Sequence, residues 1–229
     1  MLERILPAGV AVATRRADLL DASIFEREVE IVAGAVEKRR REFSTARACA
    51  RDALSQLGVP PREILSGPRG EPLWPEGVVG SITHCDGYRG SAVGRRSDFA
   101  AIGIDAEVNA ALPDGLLGDI ALPEERRALT ALAREDPTPS WDRLLFSIKE
   151  SVYKAWFPLA GRWLGFEDAR VAIDRGSRSF AARLLVQGPV LNGREVSAFS
   201  GTWLVAEGIV LSAIAVPADF EGDSPLARF

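Results

Sequence analysis

The sequence predicts an α+β protein of two similar halves, because helical and extended patterning follow one another twice along the chain. Apolar residues at helical spacing run from Phe25 to about Leu57 and again from about Pro123 to Phe157. Alternating apolar positions occupy residues 78 to 108 and 169 to 216. At 229 residues the chain can hold one large domain or two halves of about 110 residues, each with its own core. The order helices, strands, helices, strands places a boundary near residues 104 to 110 and divides 1–104 from 105–229. There is no short-period repeat, and the matching order of elements is what hints at a duplication.

Taken in order, residues 1 to 24 carry no usable motif. The first helical stretch is expected to break near Gly34 and again near Ser44, where serine could cap a new helix. Within the second piece, Phe43, Ala46, Ala50, Ala53, Leu54 and Leu57 form a core stripe with Arg47 at its edge and Arg51 one turn on. An arginine beside a buried seam keeps its charge, so it needs an anion: an internal carboxylate or a bound phosphate. Gly58 to Gly77 contains five prolines and four glycines and reads as one long loop.

The next three extended segments are Val78 to His84, Tyr88 to Gly94 and Phe99 to Val108, with Asp86-Gly87 as the first turn. They are expected to form an antiparallel meander. Asp105 and Glu107 leave the third segment on one face, with Cα atoms roughly 6.6 Å apart. They fit either a solvent-facing edge or a shared cation. A helix beginning near Pro123 is acidic at its front, and Pro137 and Pro139 end it before Trp141. Strands follow in RVAID, SFAARLLV, GTWLVAEG and IVLSAIAV, and the tail DFEGDSPLARF is expected to be loose.

Bulk composition removes several classes of function. A formal charge of −4 argues against a dedicated nucleic-acid binder, despite the basic block Lys38 to Arg41. No apolar run is long enough to cross a bilayer and no signal pattern opens the chain, so a cytoplasmic protein is expected. The two cysteines, Cys49 and Cys85, lack metal-ligand spacing, and His84 is the only histidine, which disfavours zinc or iron.

The stretch 141 to 157 carries the most chemistry. Trp141, Leu144, Leu145, Ile148, Val152, Ala155 and Trp156 commit one face to a core, while Phe146, Glu150, Tyr153, Lys154 and Phe157 share the other. Aromatics around a Glu and a Lys at i, i+4 suggest an ion pair lining a cleft; an ordinary surface pair is the plainer explanation. Asp105, Glu107 and Glu150, with Lys149 and Lys154 beside them, are hard ligands suited to Mg²⁺ or Mn²⁺. Arg39, Arg47, Arg69 and His84 could hold phosphate charge. Together these residues describe a phosphoryl-transfer site, yet no P-loop, dinucleotide fingerprint, nucleophile elbow or kinase set is present.

VVGSITHC at 78–85, IGIDAE at 102–107 and FSIKESVYKAW at 146–156 resemble the three signature motifs of the Sfp-type 4'-phosphopantetheinyl transferases. KRRREFSTARACARDAL at 38–54 and GEPLWPEG at 70–77 are similar to the enterobactin-synthetase branch. The resemblance implies a pseudo-twofold pair of α+β halves with the active site between them. It implies transfer of the 4'-phosphopantetheine arm of coenzyme A to a serine of an apo acyl or peptidyl carrier protein, releasing adenosine 3',5'-bisphosphate. Asp105, Glu107 and Glu150 match the acids that hold Mg²⁺ on the pyrophosphate. His84, with Thr83 beside it, and Lys149 and Lys154 match positions that contact coenzyme A, and Arg39 and Arg47 match arginines on its 3'-phosphate. Ser66 and Arg69 stand in a loop where branch members often place lysine.

Physical chemistry makes Glu150 the candidate general base, directly or through water, and Lys154 the group that stabilises the departing phosphate. The resemblance further implies a monomer serving fatty-acid, polyketide, nonribosomal-peptide or siderophore pathways, with no nucleic-acid or membrane partner. Two other classes fit the same acids: a metal-dependent pyrophosphate or nucleotide hydrolase, and a non-catalytic carrier-binding module.

Overall fold

The computed structural model describes residues 1–20, 22 and 24–222. The tail from residue 223 onward, expected to be loose, lies outside the described residues. After a 3₁₀ turn at Leu2–Arg4 come β1 (Ala11–Arg15), α1 (Glu26–Ile31), α2 (Glu37–Gln56), β2 (Val78–Cys85), β3 (Tyr88–Arg95) and β4 (Phe99–Val108). Then follow α3 (Leu116–Ile120), α4 (Pro123–Glu135), α5 (Trp141–Ala160), a 3₁₀ turn at Phe166–Asp168, β5 (Ala169–Asp174) and β6 (Ser179–Leu184). The short β7 (Val190–Leu191) and β8 (Arg194–Glu195) precede β9 (Ala198–Ala206) and β10 (Ile209–Pro217).

Two sheets form the frame, a small one in the order β1-β3-β2 and a large one in the order β4-β10-β9-β6-β5. Each is served by a 20-residue helix: α2 packs on the small sheet and α5 on the large one. This gives the mixed α+β architecture of two similar halves. Val79, Tyr88 and Ala92 of the small sheet meet Ile102, Ile104, Ala106, Leu204 and Leu211 of the large one in an apolar cluster that joins the halves.

The expected meander is wrong in its third strand. β2 and β3 form a hairpin, but β4 pairs along its length with β10, from Val108 opposite Ile209 to Ala101 opposite Val216. Apolar alternation gives a strand its two faces and says nothing about which neighbour takes its edge. A division at 104/105 falls inside this strand.

β4 also keeps a link to β2. The Ser81 hydroxyl accepts the Ile104 N–H at 3.2 Å and the Thr83 hydroxyl accepts the Ala106 N–H at 2.9 Å. Side chains thus satisfy the buried edge amides that a further backbone strand would otherwise have to take.

The break expected at Ser44 is absent, and α2 runs from its N-cap Val36 to Gln56. The real interruption lies at residues 32 to 36, near Gly34. Glu28, fully buried, ties the two helices together: it accepts the Phe25 and Ile64 amides at 2.9 and 2.8 Å and pairs with Arg51 at 2.9 Å. The long proline-rich loop is present, with Ser66 bridging Pro72 as its one isolated ladder contact. Among the described residues, no helix is long and apolar enough to cross a membrane.

α5 approaches β4 closely because Gly103 carries no side chain. A Cβ there would overlap the Ser151 carbonyl oxygen and stand 2.8 Å from the Ala155 nitrogen. Ala101, Gly103 and Asp105 share the face of β4 turned to α5, so the same approach brings Asp105 to Lys154. Gly103→Ala is therefore expected to lower stability by about 1–3 kcal/mol, as overpacking of a close backbone contact does. A denaturant midpoint equal to that of the unchanged protein would refute this close packing.

Candidate active site

A cleft of about 750 Å³ opens between the halves. From the first half it is lined by Arg39, Phe43, Arg47, Ser66, Arg69, Trp74 and His84, and from α5 by Glu150, Tyr153, Lys154 and Phe157. Residues more than a hundred positions apart therefore share one cavity. This is the size and the inter-lobe position typical of a small-molecule site.

Behind the α5 wall of the cleft, α5 meets β4. Lys154 Nζ donates to Asp105 Oδ1 at 2.8 Å and to the Ile104 carbonyl at 3.1 Å. The expected pairing of Lys154 with Glu150, one turn earlier, gives way to Asp105, because a fixed buried carboxylate offers a better-desolvated partner than a neighbour on the helix surface. Thr83 donates its hydroxyl proton to the same Asp105 oxygen at 3.2 Å. Asp105 is 5% exposed, and its other oxygen, Oδ2, is buried without a hydrogen-bond partner. A buried carboxylate oxygen left unpaired is costly and marks a place for a missing ligand.

Two further acids stand near. Burial, and then the charge of Asp105, push Glu107 up to about 7 against the pull of Arg143, which donates to it at 3.0 Å. Burial likewise raises Glu150, with Lys154 opposing and Asp105 adding to the rise. All three are hard oxygen donors, and crowded negative charge is what a divalent cation relieves. The donor chemistry fits such an ion. Among the described residues, however, no three His, Cys, Asp or Glu side chains are already gathered closely enough to hold one.

The other end of the cleft is cationic. Arg47, 5% exposed, donates to the Ile64 carbonyl at 2.8 Å and to Ser66 Oγ at 3.1 Å, and lies over the Phe43 ring at 4.3 Å. It has no carboxylate within salt-bridge distance among the described residues, whereas Arg51 takes Glu28. Burial pulls its guanidinium down to about 10, still charged at neutral pH. The internal-carboxylate explanation thus belongs to Arg51, and Arg47 is left facing the cleft with neutral partners.

Arg39 Nη1 contacts His84 Nε2 at 2.6 Å, so the neutral ring accepts there and carries its proton on Nδ1. Nδ1 faces Glu42 at 4.0 Å. Burial, followed by the charges of Arg39, Lys154 and Arg89, lowers His84 to about 4. Arg69 is exposed at the rim, with its amide donating to Glu71 at 2.9 Å.

Four of the residues expected at the site do not line the cavity: Asp105 and Glu107 lie behind it, and Lys149 and Thr83 are elsewhere. Lys149 is buried on another side of α5, donating to the carbonyls of Ile120, Phe166 and Ala169 at 3.0, 2.7 and 3.1 Å and pairing with Glu125 at 2.8 Å. Adjacent helix positions differ by about 100°, so Lys149 and Glu150 cannot share a face. Thr83 is 2% exposed and acts through Asp105 and the β4 edge instead of lining the cavity. Sequence reasoning missed Arg143 and Glu42. Arg143 lies seven positions before Glu150, two turns along the same face, and that spacing could have found it. Nothing in the sequence marks Glu42, which is set by how α2 sits on β2.

Fold and site together define a two-lobed α+β enzyme whose cleft sets Arg39, Arg47 and Arg69 against Glu150 and Lys154. Residues 27–94 match the model of the 4'-phosphopantetheinyl transferase N-terminal domain, and residues 101–203 that of the 4'-phosphopantetheinyl transferase superfamily. The chain is 51% identical over 221 residues to 4'-phosphopantetheinyl transferase Svp of Streptomyces mobaraensis, covering 95% of this chain and 90% of that protein. It is 48% identical over 223 residues to 4'-phosphopantetheinyl transferase Npt of Nocardia iowensis, covering 94% and 99%. Against 4'-phosphopantetheinyl transferase PptT of Mycobacterium tuberculosis it is 47% identical over 223 residues, covering 91% and 97%. The enterobactin-branch likeness is more distant, 34% over 137 residues to enterobactin synthase component D of Salmonella typhi, or 58% of this chain and 55% of that protein. The chain belongs to the 4'-phosphopantetheinyl transferase superfamily and is a transferase of that kind.

Two outcomes follow from these placements. Lys149→Ala strands the buried Glu125 charge and should cost about 3–5 kcal/mol in a denaturant titration; an unchanged midpoint would contradict the buried pair. For His84, the unfolded ring binds a proton near 6.5 and the folded ring near 4, so acidification between these values favours the unfolded chain. His84→Gln should therefore lose less stability than the wild type between those two pH values, measured as the difference between their pH profiles. Parallel profiles would show that the ring titrates freely.

Proposed function

We propose that the cleft binds coenzyme A with its phosphates across the two lobes, and that the chain moves the 4'-phosphopantetheine arm to a serine of an apo acyl or peptidyl carrier protein. The observation that carries this reading is the continuity of one cavity from Arg47, Arg39 and His84 to Lys154 and Glu150, with Asp105 held directly behind Lys154. A cofactor with a 3'-phosphate at one end and a diphosphate nearer the middle presents charge in that order. Arg39 and Arg47 hold the 3'-phosphate, Ser66 and Arg69 border it, and His84 meets phosphate oxygen. Arg47 suits the task because its neutral hydrogen-bond partners leave its charge uncompensated.

Where α5 meets β4, Asp105, Glu107 and Glu150 are the acids that would hold Mg²⁺ or Mn²⁺, with Asp105 Oδ2 foremost. Such an ion, when bound, neutralises diphosphate charge that would repel the attacking oxygen. Glu150, its pKa raised by burial, accepts the proton of the carrier serine as that oxygen attacks phosphorus. Lys154, anchored by Asp105 and the Ile104 carbonyl, faces the charge that grows on the leaving phosphate. Thr83 positions Asp105 from beneath, and Lys149 holds the helix in place without touching the cleft. The chain acts as a monomer, since both walls of the cleft come from one chain. The free thiols of Cys49 and Cys85 fit a reducing cytoplasm, and the formal charge of −4 gives no support to a nucleic-acid partner.

Incubation with coenzyme A, Mg²⁺ and an apo carrier should add about 340 Da to the carrier, the mass of one phosphopantetheine group on serine. Glu150→Ala should reduce that rate by at least about 100-fold while coenzyme A still binds. No mass gain on fatty-acid, polyketide or nonribosomal-peptide carriers would refute the carrier reading. Release of adenosine 3',5'-bisphosphate without any carrier would favour hydrolysis.

A further inference from the structure

Glu42, on α2, does not line the cavity, but two groups beside it do. Its Oε2 faces Arg39 Nη1 at 3.9 Å and His84 Nδ1 at 4.0 Å. Its Oε1 faces Arg89 Nη2 at 3.5 Å. The carboxylate thus stands between a buried cation and two cleft groups, which also contact each other at 2.6 Å. Arg89 is itself held from several sides. Its Nε and Nη2 take the two oxygens of Asp18 at 2.9 and 3.1 Å, and its Nη1 donates to the carbonyls of Cys85 and Tyr88. A planar fork engaged in this way cannot rotate without losing several bonds at once. Asp18, Arg89, Glu42 and Arg39 therefore alternate in sign from the segment after β1 to the cleft.

Arg39 needs such support more than Arg47 does. Its side chain is 49% exposed, whereas Arg47 is buried against the Phe43 ring. A half-exposed guanidinium loses rotamer freedom when it grips an anion, so a neighbour that already restricts it improves binding. At His84, a carboxylate on the Nδ1 side favours the tautomer that leaves Nε2 to accept from Arg39. The charge of Glu42 would by itself repel a phosphate. Arg89 offsets that charge on the other oxygen, so orientation is what Glu42 contributes to the cleft. We propose that Glu42 is a positioning residue for coenzyme A: held in place by Arg89 and Asp18, it sets Arg39 and the His84 ring for the 3'-phosphate. The inference rests on the coenzyme A reading above and deepens it by naming a group that acts on the cofactor without touching it.

The test measures, by titration calorimetry, the affinity of the full chain for coenzyme A and for dephospho-coenzyme A, which lacks the 3'-phosphate. The unchanged protein should prefer coenzyme A. Glu42→Ala should weaken coenzyme A binding by about tenfold and dephospho-coenzyme A binding by less than about threefold. Glu42→Gln keeps an oxygen for Arg39 and should recover part of that loss. In turnover with an apo carrier, the loss in Glu42→Ala should fall on KM for coenzyme A, with kcat within about twofold of the unchanged protein. Cooperative unfolding of each variant is checked alongside. Should Glu42→Ala not fold, Glu42→Gln and Asp18→Asn decide, each expected to weaken coenzyme A binding by about threefold and to leave dephospho-coenzyme A binding unchanged. Equal weakening of the two ligands, unchanged affinity for both, or tighter coenzyme A binding by a folded variant would overturn the inference and leave the cofactor reading standing. No coenzyme A binding by the unchanged chain, or equal affinity for the two ligands, would remove both.

Discussion

β4 is held along both edges, and the two edges are held by different chemistry. On one side β10 supplies an ordinary antiparallel ladder. On the other, the hydroxyls of Ser81 and Thr83 take two buried amides that have no backbone partner. This second contact lets one strand belong to the large sheet while lying against the small one. The halves are joined by a row of hydrogen bonds as well as by the apolar cluster behind it, and polar groups in such a seam fix register more sharply than packing alone. Since Thr83 also donates to Asp105, the seam and the α5–β4 contact behind the cleft share an atom.

The cleft distributes its charges unevenly. Buried cations are normally answered by carboxylates, as Arg51 is by Glu28 and Lys149 by Glu125. Arg47 is answered by a carbonyl, a hydroxyl and an aromatic ring, and Asp105 is only half answered by Lys154 and Thr83. Each mismatch is unfavourable to the folded chain; Arg47 lines the cavity, and Asp105 lies behind Lys154, which lines it too. Such unmet demands arise where a ligand completes the network, so stability and binding compete at these residues.

The two lysines of α5 illustrate how little sequence spacing says about role. Lys149 and Lys154 both follow a hydrophobic residue, Ile148 and Tyr153, and both meet an acid from outside the helix. Lys149 is enclosed by three carbonyls and a carboxylate, all its protons engaged, and it secures the helix to α4 and the 166–169 segment. Lys154 keeps part of its ammonium at the cleft wall. About 140° of helical rotation separates the two fates.

Local pattern in the sequence determined the types of the long elements, though not β1 or α3, together with the long 58–77 loop, the aromatic face of α5 and the co-facial placement of Asp105 and Glu107. It also supplied the three motifs that identify the family. These features are properties of neighbouring residues, and periods of two and 3.6 residues record them directly. The tertiary structure alone decided that β4 joins β10, that Ser44 lies inside a continuous helix, and that Lys154 pairs with Asp105 while Lys149 is withdrawn. Likewise it alone placed Arg143 on Glu107. Each of these depends on which distant segment occupies an edge or a face, and a residue's own neighbours carry no record of that competition.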